Sequence, residues 1–545
     1  MTANKINTKD NRVKVFDTTL RDGQQCPGAG MSFEQNMEYA RLASELRVDV
    51  LEAGFPSASP VDFDIVQAIA QEAKHFPHKP IIAALCQMRE AQIIRTIESL
   101  MPLIPLKLAR LHVYLPVDPD LMPISLGPLA DNKKQLVADL YRFTKMATEA
   151  GCEVEFSPEG YSRMREHFDF TTELFRAAVQ AGATIINCPD TIGGACQLQG
   201  KDYFVEKMKQ HAKIIEKEFP DREILWSVHC HNDYGLAVQN SINAVFHGPA
   251  RQIEGCINGI GERAGNAALE QCIMLIKQFG SQAEEQKPFY TTIATEKLQA
   301  ISDFVGKNML VRQPHSPVSG DNAAKHSSGG HTNAILKNPL AYQPFDPKEI
   351  GKEISFLFGP MSGSNHAQSI IQSFGYVCED SEKSEIAQYI KDYYHQRRKG
   401  ITDEELIQCY LEYRKPIKID RIDYLKSANS AKVILHGRFF KDQGTFEEEL
   451  LGPDSALTAA TNLIQKKFGP IKVIHHESKS ENVGIDAHSI SRILILDEQN
   501  KQYAGTGKDR DIKISAINAL LDAVNKAYID KHFSISPIKE KALKL

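Results

Sequence analysis

None of the ten cysteines is spaced as C-x-x-C, so the chain offers neither a disulfide framework nor a thiolate zinc site. No run approaches the roughly 18 apolar residues of a membrane span, and the opening MTANKINTKDNR has no apolar h-region. A formal net charge of −5 over 545 residues supplies no global basic field for nucleic acid or anionic lipid. No Gly-rich dinucleotide turn follows the first apolar run, which continues instead as TLRDGQQ. These absences exclude export, membrane insertion and nucleic-acid binding. They predict a cytoplasmic protein whose partners are small molecules. What is present, 42% hydrophobic and 24% charged residues, is the composition of a soluble globular chain long enough for several domains.

From Val13 to about Ile260, short β-rich runs alternate with helix-like stretches, the signature of repeated βα units. Eight runs are legible: 13–17, 48–55, 81–86, 109–115, 153–159, 184–191, 224–231 and 252–259. Each is near-continuously apolar, as strands covered on both faces require. Helix starts reinforce the pattern: Ser32 with Gln35 reads as a capping box, and Ser59–Pro60 as an N-cap followed by proline at the first helical position. Eight strands predict an α/β fold, a closed (β/α)8 TIM barrel, with a doubly wound open sheet as the alternative.

Three segments can close around one divalent metal: DTTLRDGQQ (17–25), HCHND (229–233) and GIGERAGN (259–266). His229 and His231 are two apart, so on a strand both imidazoles face the same way. Asp22 adds a hard oxygen and Asn266 an amide oxygen. This mixed set suits Mg²⁺, Mn²⁺, Co²⁺ or Zn²⁺ with positions left open, and not a closed structural site. Active sites of such barrels lie at the C-terminal ends of the strands. Arg21, Asp22, His112, Ser157, Glu159, Asp190, Thr191, His229, His231 and Asn266 all fall within or after those runs. Cys230, between the histidines, faces the opposite side and reads as core; Asp233 is a candidate orienting partner for the pair.

Three spans are expected: a catalytic barrel over 1–280, linker subdomains of helical and loop pattern over 281–426 with a polar Gly/Ser/His-rich stretch at 318–337, and a C-terminal α+β regulatory domain over 427–545. In the last, KVILHG and TFEEELLG lead to a helix from PDSALTAATNLIQKKFG. IKVIHHES, SRILILD and KQYAGTG then lead to a second helix, suggesting two related βα modules.

DTTLRDGQQ, SPE (157–159), PDTIG (189–193), HCHNDYGLA (229–237) and NGIGERAGN (258–266), in that order, resemble the barrel metallo-enzymes that condense or cleave acyl-CoA with 2-oxo acids, and closely the 2-isopropylmalate synthases. The resemblance implies that Asp22, His229, His231 and Asn266 bind the metal, that Arg21 sits beside the substrate oxygens, and that His112, Ser157 and Thr191 line the substrate site with Glu159. GHTNAILK and AYQPFDP are similar to the stretches carrying a catalytic His and Tyr, here His331 and Tyr342. In that family the pair reaches the partner subunit's site, which implies a homodimer. Also implied are acetyl-CoA and a 2-oxo acid as substrates, leucine as effector, and a monovalent cation such as K⁺ beside the divalent metal. Three features depart from the pattern: strand four continues as HVYLPVDPDLMP, Pro249 lengthens the segment before Asn266, and the C-terminal domain matches mainly in its strand–helix rhythm.

The implied reaction is a Claisen-type condensation. A positioned base removes a methyl proton from acetyl-CoA, and both Glu159 and the His331/Tyr342 pair are candidates. Arg21 is permanently cationic and supplies donors at the developing alkoxide. Pyruvate or 2-oxoglutarate as acceptor would make the enzyme a citramalate or homocitrate synthase. A catalytically silent metabolite-binding regulator is the reading from outside enzymology.

Overall fold

The computed structural model describes residues 10–282, 287–397, 399–427, 429–451, 456–481 and 487–534. The polar opening segment up to Lys9, and the start of the helix expected from Pro453, lie outside them. The chain divides into two compact units, one taking in the chain to Lys325 with Gln343–Ile354, the other His326–Tyr342 and the chain from Ser355.

The first unit is a closed parallel barrel in sequence order: β1 (Lys14–Asp17), β2 (Val50–Glu52), β3 (Ile81–Gln87), β4 (Ala109–Pro116), β5 (Glu153–Glu159), β6 (Ile185–Asp190), β7 (Leu225–Cys230) and β8 (Ala250–Gly255). β8 pairs with β1 through Lys14↔Gln252 to Asp17↔Gly255 and closes the ring. The Ser32 capping box is formed in both directions, and Ser59 caps a helix with Pro60 in its first turn. β8 begins before the expected 252 and ends before 259, because the chain turns at Ile257–Gly259.

Period-two alternation sorts each strand. Leu111 and Val113 of β4, Val154 and Phe156 of β5, and Trp226, Val228 and Cys230 of β7 join the large core under the helices. The residues between them face the barrel axis, and many are polar. Arg110 of β4 reaches Glu155 of neighbouring β5 and Gln252 of β8, each at 2.9 Å, and the second contact joins non-adjacent strands, which can meet only across the interior. Gln252 donates in turn to Glu155 and to Ser227, each at 2.9 Å. This network floors the barrel, so the catalytic end is the opposite one.

In the second unit, a small helical core precedes two three-stranded antiparallel sheets. The first comprises β9 (Ile417–Lys426), β10 (Ser430–Phe439) and β11 (Asp442–Leu451), followed by helix Ala456–Phe468. The second comprises β12 (Lys472–Ser480), β13 (Ser489–Leu496) and β14 (Gln502–Asp509), followed by helix Ile512–Phe533. The repeat is therefore βββα twice, with one more strand in the first module than the two expected. β9 escapes a periodicity reading because its register shifts between Ile419 and Arg421, which throws Ile422 and Tyr424 out of phase with Ile417 and Ile419. β12 has the same irregularity between Val473 and His475. On β14 the last helix lies so close that a Cβ at Gly505 would stand 2.0 Å from the Ala519 carbonyl. Within the polar stretch of the helical linker expected from sequence, Gly329–Lys337 is a helix. Among the described residues, no helix is long and apolar enough to cross a membrane.

Candidate active site

The barrel mouth holds a cavity of about 230 Å³. Asp22, His229 and His231 are buried there, and each offers a ligand atom within 4.8 Å of the others. Strand alternation turns both imidazoles to one side, with their Nε2 atoms 3.3 Å apart. Burial pushes His229 and His231 down to about 4, so both present lone pairs at neutral pH. Burial works to raise Asp22, but Arg21 and the two imidazoles outweigh it and hold the carboxyl below the usual range. Nδ1 of each histidine and Oδ1 of Asn266 are buried without a hydrogen bond among the described residues. Two neutral imidazoles, one carboxylate and an unpartnered amide oxygen fit a divalent cation.

The turn carrying Asn266 is pinned to the end of β7. Ala267 N–H donates to the Cys230 carbonyl and Asn232 N–H to Gly265, both at 2.9 Å, and Asn266 pairs with His231 in an isolated bridge. The Asn266 amide donates to Asp22 at 2.6 Å. Gly261 (φ +148°) makes this possible, since a Cβ there would stand 2.2 Å from the Asn266 amide and 2.9 Å from the Asp22 carboxylate.

Arg21 Nε donates to Glu52 and Nη1 to Asp22, each at 2.6 Å. The second oxygen of Glu52 meets His112 Nδ1 at 2.7 Å, and His112 Nε2 meets Ser157 Oγ at 2.6 Å. Ser157 also accepts from Asn187 at 2.9 Å. Burial acts to raise Glu52, but Arg21 and His112 bring it down to about 2. One buried carboxylate thus holds Arg21 and His112 in place. Glu159 also lines the cavity, and burial raises its carboxyl. Thr191 faces the same cavity, its hydroxyl accepting from Gly160 N–H at 2.9 Å.

The structure gathers at this mouth nine of the eleven residues to which the resemblance gives a role, while Asp190 at the end of β6 instead accepts from Ser162 Oγ at 2.6 Å and Ala195 N–H at 3.0 Å. His331 and Tyr342 belong to the second unit, where their rings stack at 3.8 Å and 15°. Sequence reasoning missed Glu52, Glu254, Asn187, Tyr114 and Arg263. Glu254 stands beside His229 in the β7–β8 register, 3.5 Å from its Nδ1, and burial pushes its carboxyl up to about 7. Asp233, the orienting partner expected from sequence, is instead held by Arg263 through two 2.9 Å bonds. The signal for Glu52 and Glu254 was a charge inside an otherwise apolar strand run.

The HMGL-like family matches residues 12–305, the homocitrate synthase post-HMGL domain-like family 318–398, and the LeuA allosteric (dimerisation) domain 418–528. The 2-isopropylmalate synthase of Heliobacterium modesticaldum is 34% identical over 529 residues, covering 95% of this chain and 97% of its own. That of Aquifex aeolicus is 32% identical, covering 96% and 97%. The chain belongs to the 2-isopropylmalate synthase family. Its likeness to these synthases runs through both compact units, so the barrel mouth and the C-terminal repeats are parts of one family architecture.

Proposed function

We propose that the chain is a 2-isopropylmalate synthase, joining the methyl carbon of acetyl-CoA to the ketone carbon of 3-methyl-2-oxobutanoate and hydrolysing the thioester to release 2-isopropylmalate and CoA. This is the first committed step of leucine biosynthesis. The observation that carries the reading is the convergence of Asp22, His229 and His231 with Arg21 and Glu159 around one cavity, in a chain similar over its length to synthases of this name.

Asp22, His229 and His231, with Asn266 Oδ1, would hold a divalent ion drawn from Mg, Mn, Zn and Co. When bound, the ion supplies Lewis-acid polarisation of a chelated 2-oxo acid. Arg21 spends Nε and Nη1 on carboxylates, which leaves Nη2 to face the substrate oxygens. His112 and Ser157, fixed through Glu52, line the acceptor pocket, and Thr191 closes it beside Glu159. Leu85, also in the lining, offers an apolar wall to the branched side chain. Removal of the methyl proton falls to Glu159, whose raised carboxyl suits a proton carrier, or to His331 with Tyr342. Exchange of the acetyl-CoA methyl protons into D2O, measured in Glu159→Gln and His331→Asn variants, separates the two.

The C-terminal repeats form the regulatory module of a cytoplasmic homodimer and answer to leucine. An effect there requires leucine to favour one state by about 1–3 kcal/mol, a change of roughly 5–150-fold in substrate affinity. The deciding experiment is metal-dependent thiol release from acetyl-CoA with a panel of 2-oxo acids, with and without leucine. Release fastest with 3-methyl-2-oxobutanoate is expected. Higher kcat/KM with pyruvate would make the enzyme a citramalate synthase, and no metal-dependent release would remove the reading.

A further inference from the structure

A cavity of about 680 Å³ lies in the second unit, where helices Asp403–Arg414, Ala456–Phe468 and Ile512–Phe533 end near the β10–β11 hairpin. Its size falls in the range of small-molecule sites. Six lysine or arginine side chains line it, against two carboxylates. Both carboxylates are engaged, Asp442 by Lys467 at 2.9 Å and Glu385 by the Tyr413 hydroxyl at 2.7 Å.

Part of the positive charge has an ordinary explanation. Arg414, Lys467 and Lys531 occupy last helical turns, where cations offset the helix dipole. Arg414 and Lys531 are also paired with Glu382 and Glu498. Arg438 and Lys441 are different. They sit at the β10–β11 hairpin, and neither forms an ion pair among the described residues. Arg438 Nη2 donates to the carbonyl of Lys415, the C-cap of helix Asp403–Arg414, at 2.6 Å, while its Nε is buried without an acceptor among the described residues.

Between these two cations stands Phe440, at φ +60°, a left-handed position that aromatic residues rarely adopt. Its N–H is tied to the Pro416 carbonyl at 2.8 Å. The turn sets its ring edge-to-face against Tyr528 at 5.7 Å and 6.5 Å from Phe468, all three lining the cavity. Phe439 pairs with Asp442, so Phe440 and Lys441 form a two-residue hairpin loop, and the turns that suit such loops call for positive φ at the first position.

We infer that this cavity binds a nucleoside phosphate, with the planar base against Phe440 and Tyr528 and the phosphate on Arg438 and Lys441. Guanidinium and ammonium groups match phosphate oxygens, and an aromatic wall accepts a base without reading its edge. Two sources share this chemistry, a free nucleotide and the nucleotide portion of CoA. The site shares no residue with the barrel mouth, so it is independent of the catalytic assignment.

The test is calorimetric titration of the full-length protein with ADP, with CoA and with inorganic phosphate. ADP is expected to bind once per chain in this cavity, and the Arg438→Gln/Lys441→Gln variant to bind it about tenfold or more weakly. Lys441→Glu alters one exposed side chain only and should weaken binding in the same direction, which keeps the test decisive if the double variant folds poorly. Thiol-release kcat should be unchanged in both. If CoA shows two events per chain and the variants lose one, CoA is the source; if only the ADP isotherm changes, a free nucleotide is. The proposal is overturned by equal ADP affinity in wild type and variants, by absence of binding at millimolar ADP and CoA beyond the barrel event, or by inorganic phosphate binding as tightly as ADP.

Discussion

Inside the barrel, Glu52, Arg110, Glu155 and Glu254 have no exposed surface, whereas from Ile417 onward the buried polar residues among those described are Ser489, Ser491, Ser515 and Asn525, none of them ionisable. Both regions use period-two strands. The antiparallel repeats turn apolar residues to a single core and send charge to solvent, as in the alternating burial of β10. The parallel barrel places most of its apolar core outside the strands, and along its axis polar groups share the interior with a small apolar patch of Phe16, Val50 and Ala83. Burying charge costs stability unless each group finds partners, so the barrel's network marks where the fold accepts that cost for chemistry. Four substitutions probe this contrast.

The largest effect is expected at the His pair. His231→Ala removes a donor from a site that has few, so the loss of activity and metal affinity should exceed the ~10–100-fold that an outer partner costs. The barrel should remain folded, because His231 lies at the rim, past the end of β7. Metal titration with parallel circular dichroism checks both. Near-normal turnover at low metal would detach His231 from the site.

Arg110→Met tests the floor. It leaves Glu153 and Glu155 without their cation, now at 2.7 and 2.9 Å, and should destabilise the barrel by about 3–5 kcal/mol. Trp226, the chain's single tryptophan, sits buried in β7 and reports barrel unfolding by its fluorescence. An unchanged midpoint would mean that the network is dispensable.

Glu254→Gln keeps shape and removes a titratable carboxyl beside His229. If Glu254 orients that imidazole, metal affinity or activity should fall ~10–100-fold with little change in the Trp226 midpoint. A fall in stability without a fall in metal affinity would assign Glu254 to the structural network instead.

These residues also show how far the sequence could be read. The eight barrel strands were legible because burial on both faces leaves near-continuous apolar runs, and His229 and His231 because a spacing of two has one meaning on a strand. Glu254 was not, since only the β7–β8 register brings it to His229 from 25 positions away. Glu52, inside the run VDVLEAGF, takes a place in the site only because barrel closure sets it between Arg21 and His112. β9 was hidden by a one-residue register shift. The wall of Phe440, Phe468 and Tyr528 draws on three separate elements, each unremarked in its own segment.

Lys432→Met, the counterpart of Arg110→Met in the repeats, should have the smallest effect. Lys432 on β10 meets Glu447 on β11 at 2.8 Å, but the carboxylate is more than half exposed. Water already solvates both charges, salt screens them, and holding two long side chains together costs entropy that offsets most of the attraction. The alternation of β10 also directs Lys432 away from the apolar core that holds Val433 and Leu435, so a methionine there disturbs no packing. Amide exchange of β10 residues should therefore change by less than about fivefold. A change comparable to that of Arg110→Met would show that the repeats rely on their surface charges, and the contrast between the two regions would fail.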